Sequence, residues 1–348
     1  MVDSDEWCYT NLIGLIIIMN RLVDYYKRHI NYLRISITDR CNLRCIYCMP
    51  LEGVSHLTHE DVLSYEEIIR IAQIAVKEGI TKIRITGGEP LVRKGVVNLI
   101  GWLSRLQGIE DLSMTTNGIF LSEFAQPLYE AGLTRVNVSM DSLKPDLFKK
   151  ITRGGELSRV WKGINAASKI GMNPIKINVV AIKGFNEDEI LDFAQLTFEH
   201  DYQIRFIEFM PVGPENGWHQ ERYLSCLDIR NIIEKSYTLQ PMANKKCTSG
   251  PADLYRLRGA KGEIGFINPI SGHFCSTCNR LRLTADGKLR PCLFSDEEID
   301  IKMALRRGES DDALKALLHS ALSKKPRGHT IKEPTFRKCV REMIKIGG

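Results

Sequence analysis

Nothing in the sequence is long and apolar enough to cross a bilayer. The run Leu12-Ile13-Gly14-Leu15-Ile16-Ile17-Ile18 falls far short of the roughly 20 residues a spanning helix needs. No basic residue precedes it and no small-residue cleavage site follows, which argues against a signal peptide. Met19 comes next, so residues 1–18 read as a dispensable extension or a start-site artefact. Charge of one sign is also lacking: 48 Lys and Arg against 42 Asp and Glu leave only +6. Such an excess suits a small anionic substrate as well as nucleic acid and decides between neither. Ten cysteines in 348 residues are too sparse for a disulfide framework, and their clustering argues for metal in a reducing cytoplasm. No histidine pair has metal-ligand spacing, so His56, His59, His200, His219, His273, His319 and His329 offer no metal pair and no candidate base. Repeats and low-complexity segments are missing too.

What is present is a long alternation of strands and helices. Asn31 to Thr38 reads as a strand by its alternating apolar and polar residues. Ser64 and Glu67 form a capping box that opens a helix, closed by Gly79. Further strands are expected near 80–86, 110–116, 133–140, 175–182 and 202–209. Helices near 95–107, 121–131, 158–170 and 187–200 fall between them. Strands alternating with helices imply right-handed units and a parallel sheet. About six units fit, fewer than the eight of a closed barrel, so the fold class is α/β: a partial (βα)6 TIM-like barrel with its site at the C-terminal strand ends. After Pro211-Val212-Gly213-Pro214 the pattern changes to a smaller α+β region. It has a helix near 225–235, strands near 253–258 and 262–267, and helices at about 296–306 and 310–323. The expected divisions are 1–21 as extension, 22–215 as barrel and 216–348 as C-terminal region.

The chemistry starts at Cys41, Cys45 and Cys48, spaced C-x3-C-x2-C. Thiolates are soft ligands that select zinc, copper(I) or iron–sulfur clusters. Three of them suit a four-iron cluster with one iron left open. The competing reading is a zinc loop whose fourth ligand comes from elsewhere. Thr86-Gly87-Gly88-Glu89-Pro90 ends the second strand, where two glycines permit close backbone approach or simply a tight turn. Ser139-Met140-Asp141-Ser142 ends another strand, as a helix cap or as a polar ligand contact. A second centre holds Cys275, Cys278 and Cys292, with a hairpin turn expected at Asp286-Gly287. Alone, this C-x2-C-x13-C reads as part of a zinc ribbon. The count of three and the adjacent Arg280 and Arg282, whose guanidinium groups bind phosphate bidentately, point instead to a cluster beside an anionic substrate. Cys8, Cys226, Cys247 and Cys339 read as bystanders.

The first cysteine motif, following a strand and carrying Tyr47 before its last cysteine, resembles the radical S-adenosylmethionine (SAM) superfamily. Together with the second trio, the Asn279-Arg280-Leu281-Arg282 stretch and the terminal Gly347-Gly348, it resembles the GTP 3′,8-cyclases of molybdenum-cofactor biosynthesis, from about Leu22 to Gly348. The resemblance implies two [4Fe–4S] clusters, one on Cys41, Cys45 and Cys48 that binds SAM, and one on Cys275, Cys278 and Cys292 that binds substrate. It places SAM against Tyr47, Gly88, Ser139 and Met210. It places GTP against Arg34, Arg84, Thr115, Lys176, Arg280, Leu281 and Arg282, with Arg280 and Arg282 also serving catalysis. Arg34, Arg84 and Lys176 fall on separate strands that would converge in a barrel, as a clamp for a triphosphate requires. The implied reaction is abstraction of H3′ of GTP by a 5′-deoxyadenosyl radical and attack of C3′ on C8. The implied partners are cyclic pyranopterin monophosphate synthase downstream, an electron donor such as flavodoxin or ferredoxin, and a second copy in a homodimer. No nucleic acid and no membrane are implied. The alternatives are a peptide-modifying radical SAM enzyme with auxiliary clusters, and a zinc protein that binds nucleic acid.

Overall fold

A computed structural model describes residues 22–347 except 215, 243–249, 332, 334 and 335. The extension at residues 1–21, Cys8, Cys247, Pro334 and Gly348 therefore lie outside the described residues.

The first half follows the expected alternation. Its strands are β1 (Tyr32–Ser36), β2 (Lys82–Thr86), β3 (Asp111–Thr116), β4 (Arg135–Ser139), β5 (Lys176–Ala181) and β6 (Gln203–Glu208). Its helices are α1 (Tyr65–Lys77), α2 (Val96–Ser104), α3 (Leu121–Glu130), α4 (Pro145–Thr152), α5 (Leu157–Lys169) and α6 (Ile190–Glu199). The predicted box opens α1: the Glu67 N–H donates to Ser64 Oγ at 3.1 Å, and the Ser64 N–H donates to Glu67 Oε2 at 2.7 Å. The short helix α4 was not anticipated. β1 to β6 pair in parallel, in chain order.

The C-terminal region supplies α7 (Cys226–Glu234), β7 (Leu239–Pro241), β8 (Asp253–Leu257), β9 (Glu263–Ile267), β10 (Arg280–Leu283), β11 (Lys288–Arg290), β12 (Ile299–Asp300), α8 (Lys302–Arg306), α9 (Asp311–Ser323) and α10 (Met343–Ile346). Its strands extend the same sheet at both margins. β9 joins β6 in parallel and β10 joins β1 in parallel. The order is β12-β11-β10-β1-β2-β3-β4-β5-β6-β9-β8-β7. The outer strands β12 and β7 are not paired with each other among the described residues, so the sheet is a partial barrel. The helix expected over 296–306 is shorter, because Ile299–Asp300 pairs with β11 instead. Buried Arg290 holds that approach extended: it bonds Glu298 and the Ser295 carbonyl.

Each strand has two faces, as period-2 geometry requires. On β1 the buried Leu33 and Ile35 alternate with Tyr32, Arg34 and Ser36; on β10 Leu281 and Leu283 alternate with Arg280 and Arg282. The apolar set joins the core shared with the helices. The polar set includes the lumen-lining Tyr32, Arg34, Arg280 and Arg282. Buried charge inside a sheet is costly, so this pattern marks the lumen as a place for a ligand.

Candidate functional site

The first cysteine loop leaves the end of β1 and is pinned from several sides. The Gly88 N–H donates to the Thr38 carbonyl at 2.7 Å, and the Glu89 N–H donates to the Arg40 carbonyl at 2.8 Å. A Cβ at Gly88 would stand 2.4 Å from Arg40 O, so close approach of the loop backbone is what requires glycine there. Glu89 accepts the Thr116 hydroxyl and the Asn117 N–H, both at 2.7 Å. Asn117 in turn donates to Asn42 Oδ1 at 2.8 Å and contacts Cys41 Sγ at 3.8 Å. On the far side the Tyr47 hydroxyl donates to Asp141 Oδ2 at 2.6 Å, and Asp141 Oδ1 accepts the Val180 N–H at 2.8 Å.

The second trio is held by cations. The ammonium of buried Lys325 donates to the carbonyls of Arg280 (2.8 Å) and Pro291 (2.7 Å) and to Cys278 Sγ (3.5 Å). Arg28 donates to the Cys275 carbonyl at 2.6 Å and is itself held by Asp24. Glu208, at the end of β6, accepts the N–H groups of Ile270 (2.8 Å) and Ser271 (3.0 Å) and so fixes the segment that enters this loop.

Burial raises all three thiols of the first trio and Cys275 of the second, whereas Cys278 is brought down. Burial raises Cys41 to about 11. Burial, Cys41 and the Glu342 carboxylate raise Cys48, and burial with Cys48 and Asp141 raises Cys45. Burial would raise Cys278 too, but Arg280 and Lys325 outweigh it and bring that thiol down to about 6. Within each trio the thiols therefore stand close enough to repel one another as thiolates. Yet among the described residues no group of three or more His, Cys, Asp or Glu closes around a single metal ion. Three thiolates at each centre, one to each of three irons, are the donor set that leaves the fourth iron of a four-iron cluster open.

Both trios open into one cavity. Arg34, Tyr47, Arg84, Gly88, Thr115, Ser139, Met210, Arg280 and Arg282 line it as well, so most of the residues singled out by sequence are brought together. Two are not among the lining residues. Leu281 is fully buried, because its place on β10 alternates with the inward arginines. Lys176 lies one pleat below Asn178, which does line the cavity. Burial, followed by Arg205, Arg135 and Arg84, pulls the Lys176 amine down to about 5. Burial and neighbouring cations also pull Arg34 to about 10 and Arg205 to about 9, both still charged at neutral pH. The Gly347 carbonyl accepts from Arg282 Nη1 at 2.9 Å, so the described end of the tail reaches the site.

Sequence reasoning missed several residues. Arg205 is buried in the same setting as Arg34 and Arg84, a cation flanked by apolar residues within a strand, and that signal would have found it. Asp141 was read only as part of its motif, although it anchors Tyr47 and burial lifts its carboxyl to about 6. Asn137 and Asn178 line the cavity with no charge to betray them. Lys325 and Arg28 lie far from the cysteines in sequence and had no local signal.

Residues 35–197 match the Radical SAM superfamily and residues 202–331 match Molybdenum Cofactor Synthesis C. The chain is 54% identical over 327 residues to a GTP 3′,8-cyclase of Thermodesulfovibrio yellowstonii, covering 93% of this chain and 99% of that one. It is 50% identical over 325 residues to a GTP 3′,8-cyclase of Alkaliphilus metalliredigens, with the same coverage. Among solved structures, Streptococcus suis SuiB bound to S-adenosylmethionine superposes with a TM-score of 0.60 at 17% identity, over 92% of this chain and 78% of that one. That likeness speaks for the fold alone. No helix among the described residues is long and apolar enough to cross a membrane. As a radical SAM protein the chain uses SAM and an iron–sulfur cluster. With full-length relatives at half identity and both family regions in place, the chain belongs to the GTP 3′,8-cyclase family.

Proposed function

We propose that the chain acts on GTP with SAM, joining C3′ of the ribose to C8 of the guanine. The product is (8S)-3′,8-cyclo-7,8-dihydroguanosine 5′-triphosphate, in the first step toward molybdopterin. The observation that carries this reading is the shared cavity: two cysteine trios open onto one lumen lined by buried arginines. Cys41, Cys45 and Cys48 would hold one [4Fe–4S] cluster and Cys275, Cys278 and Cys292 a second. Bound there, the clusters and SAM supply one-electron chemistry able to break an unactivated C–H bond.

The chain's own part is to grip, orient and exclude water. Tyr47, fixed by Asp141, together with Gly88, Ser139 and Met210, forms the SAM end. Arg34, Arg84, Thr115, Arg280 and Arg282 face GTP, whose roughly four negative charges need several guanidinium partners. Lys176 adds charge from below, and Leu281 takes part only through its backbone. Arg280 and Arg282, beside the second trio, are the pair that would hold the nucleotide with C8 of the guanine turned toward C3′ of the ribose for cyclisation. Holding reacting atoms in near contact converts an improbable encounter into an oriented one.

The same reading divides the chain at 22–215 and 216–348 and makes the extension dispensable; a chain beginning at Met19 that lost activity or stability would contradict that last point. It places the enzyme in the cytoplasm, with flavodoxin or ferredoxin as donor, cyclic pyranopterin monophosphate synthase as recipient of the product, and a homodimer as the assembly. The deciding experiment is anaerobic reconstitution followed by incubation with GTP, SAM and dithionite. About eight irons per chain and the cyclised nucleotide are expected. Zinc in place of iron, or intact GTP after SAM cleavage, would defeat the reading.

A further inference from the structure

We propose that Asn137 is a specificity and positioning residue that binds the ribose 2′,3′-diol of GTP; this rests on the cyclase reading above. Asn137 lies on β4, is 1% exposed and lines the cavity. Neither its Nδ2 nor its Oδ1 has a hydrogen-bond partner. A carboxamide offers two donors and an acceptor, and more than nine in ten buried polar groups in folded proteins are satisfied. An amide with both ends unpaired at a cavity wall therefore marks a place for a ligand.

Its neighbours define the chemistry. Thr115 faces Asn137 across the β3–β4 pairing, and its buried Oγ1 is also without a partner. On the other side Asn137 pairs with Lys176 across β4–β5, and Asn178, two residues further along β5 and level with Ser139, has an unpartnered Oδ1. Thr115, Asn137 and Asn178 are uncharged, whereas Lys176 beside Asn137, together with Arg34, Arg84 and Arg205 on other strands, supplies the charge that phosphates demand. The unmet donors and acceptors call for a neutral group that both gives and takes hydrogen bonds. A vicinal diol does so, and a carboxamide can engage its two hydroxyls together.

Position selects the nucleotide. Asn137 precedes Ser139 by two residues on one strand and so sits about 7 Å deeper, below the level assigned to SAM. With the triphosphate drawn to the arginines and the base to the second trio, the ribose of GTP spans the gap that Asn137 borders. A carboxamide holding the 2′- and 3′-hydroxyls would fix which ribose hydrogen points toward the SAM end.

The test is equilibrium binding of GTP, 2′-deoxyGTP and SAM to the reconstituted wild type, N137A and N137S, with cyclised product and 5′-deoxyadenosine measured in parallel. N137A should weaken GTP about tenfold but 2′-deoxyGTP about threefold or less, because part of the lost partner is already gone. It should also yield more 5′-deoxyadenosine per cyclised product, as a loosely held ribose uncouples the two. N137S, which keeps one polar atom, should fall between and carries the comparison if N137A does not fold. Equal losses for both nucleotides, or a loss confined to SAM, would overturn the assignment. If the wild type cyclises GTP and the losses are equal, only this inference falls; if the wild type makes no cyclised product, the cyclase reading falls and takes it along.

Discussion

Replacing Gly88 with alanine probes how the first cysteine loop is held. The new Cβ would lie 2.4 Å from Arg40 O, 2.7 Å from Arg40 C and 3.2 Å from Asp39 C. These are backbone atoms immediately before Cys41, so no side-chain rotation relieves the clash. To reach even a minimal contact the carbonyl must retreat by about 0.6 Å, a displacement close-packed interiors resist. The bond from the Glu89 N–H to that carbonyl, 2.8 Å in the native protein, would stretch beyond the normal hydrogen-bond range. Overpacking costs about 1–3 kcal/mol and the weakened bond about 1 kcal/mol, so a loss of about 2–4 kcal/mol is expected. The damage falls on the first trio, because the second is held by Lys325, Arg28 and Glu208. Iron should drop from about eight to about four per chain, with a lower melting temperature and the C-terminal cluster's paramagnetic signal retained. Gly101→Ala is the control: its Cβ would meet nothing nearer than 3.9 Å, and helix propensity should make it stabilising by about 0.5–1 kcal/mol. A Gly88→Ala protein with wild-type melting and full iron would refute the reasoning.

The remaining predictions concern the division of labour around the lumen. Cys41→Ala should abolish SAM cleavage, whereas Cys275→Ala should retain some 5′-deoxyadenosine formation and lose cyclised product; equal and complete loss in both would contradict separate roles. Arg280→Ala should raise the Kd for GTP by roughly tenfold to a hundredfold, as expected for a charge-assisted bond, and an unchanged Kd would remove Arg280 from the clamp. Lys176, held near 5, is neutral at pH 7 in the free protein. A triphosphate nearby should restore its charge, so binding takes up a proton and GTP affinity should fall as pH rises from about 6 to 9. Calorimetry in buffers of different ionisation enthalpy reads that uptake directly, and zero uptake would show that Lys176 stays neutral or lies too far away.

The two cysteine spacings, the Ser64–Glu67 box and the strand–helix alternation were legible because each is encoded within a few residues. So was the polar face of β1, since period-2 alternation sets Arg34 on the side opposite Leu33 and Ile35; that Arg280 and Arg282 share such a face on β10 came from the structure. The helix expected over 296–306 is confined to Lys302–Arg306 because Ile299–Asp300 is an edge strand, a choice made by pairing with β11 and by the bonds of buried Arg290, neither visible locally. Lys325 and Arg28 looked ordinary until the fold carried them to the second cysteine loop. Asn137 had no signal at all, because an unsatisfied amide is defined by what surrounds it. Sequence alone thus determined which ligating and charged groups the chain owns and, on β1, which face carries them. Tertiary structure decided that β9 and β10 flank the same parallel sheet, that both trios share one lumen, and which polar atoms are left for a ligand. The reason is physical: spacing along the chain governs neighbours a turn or a pleat away, while convergence of distant strands depends on sheet order and stagger, which only global packing sets.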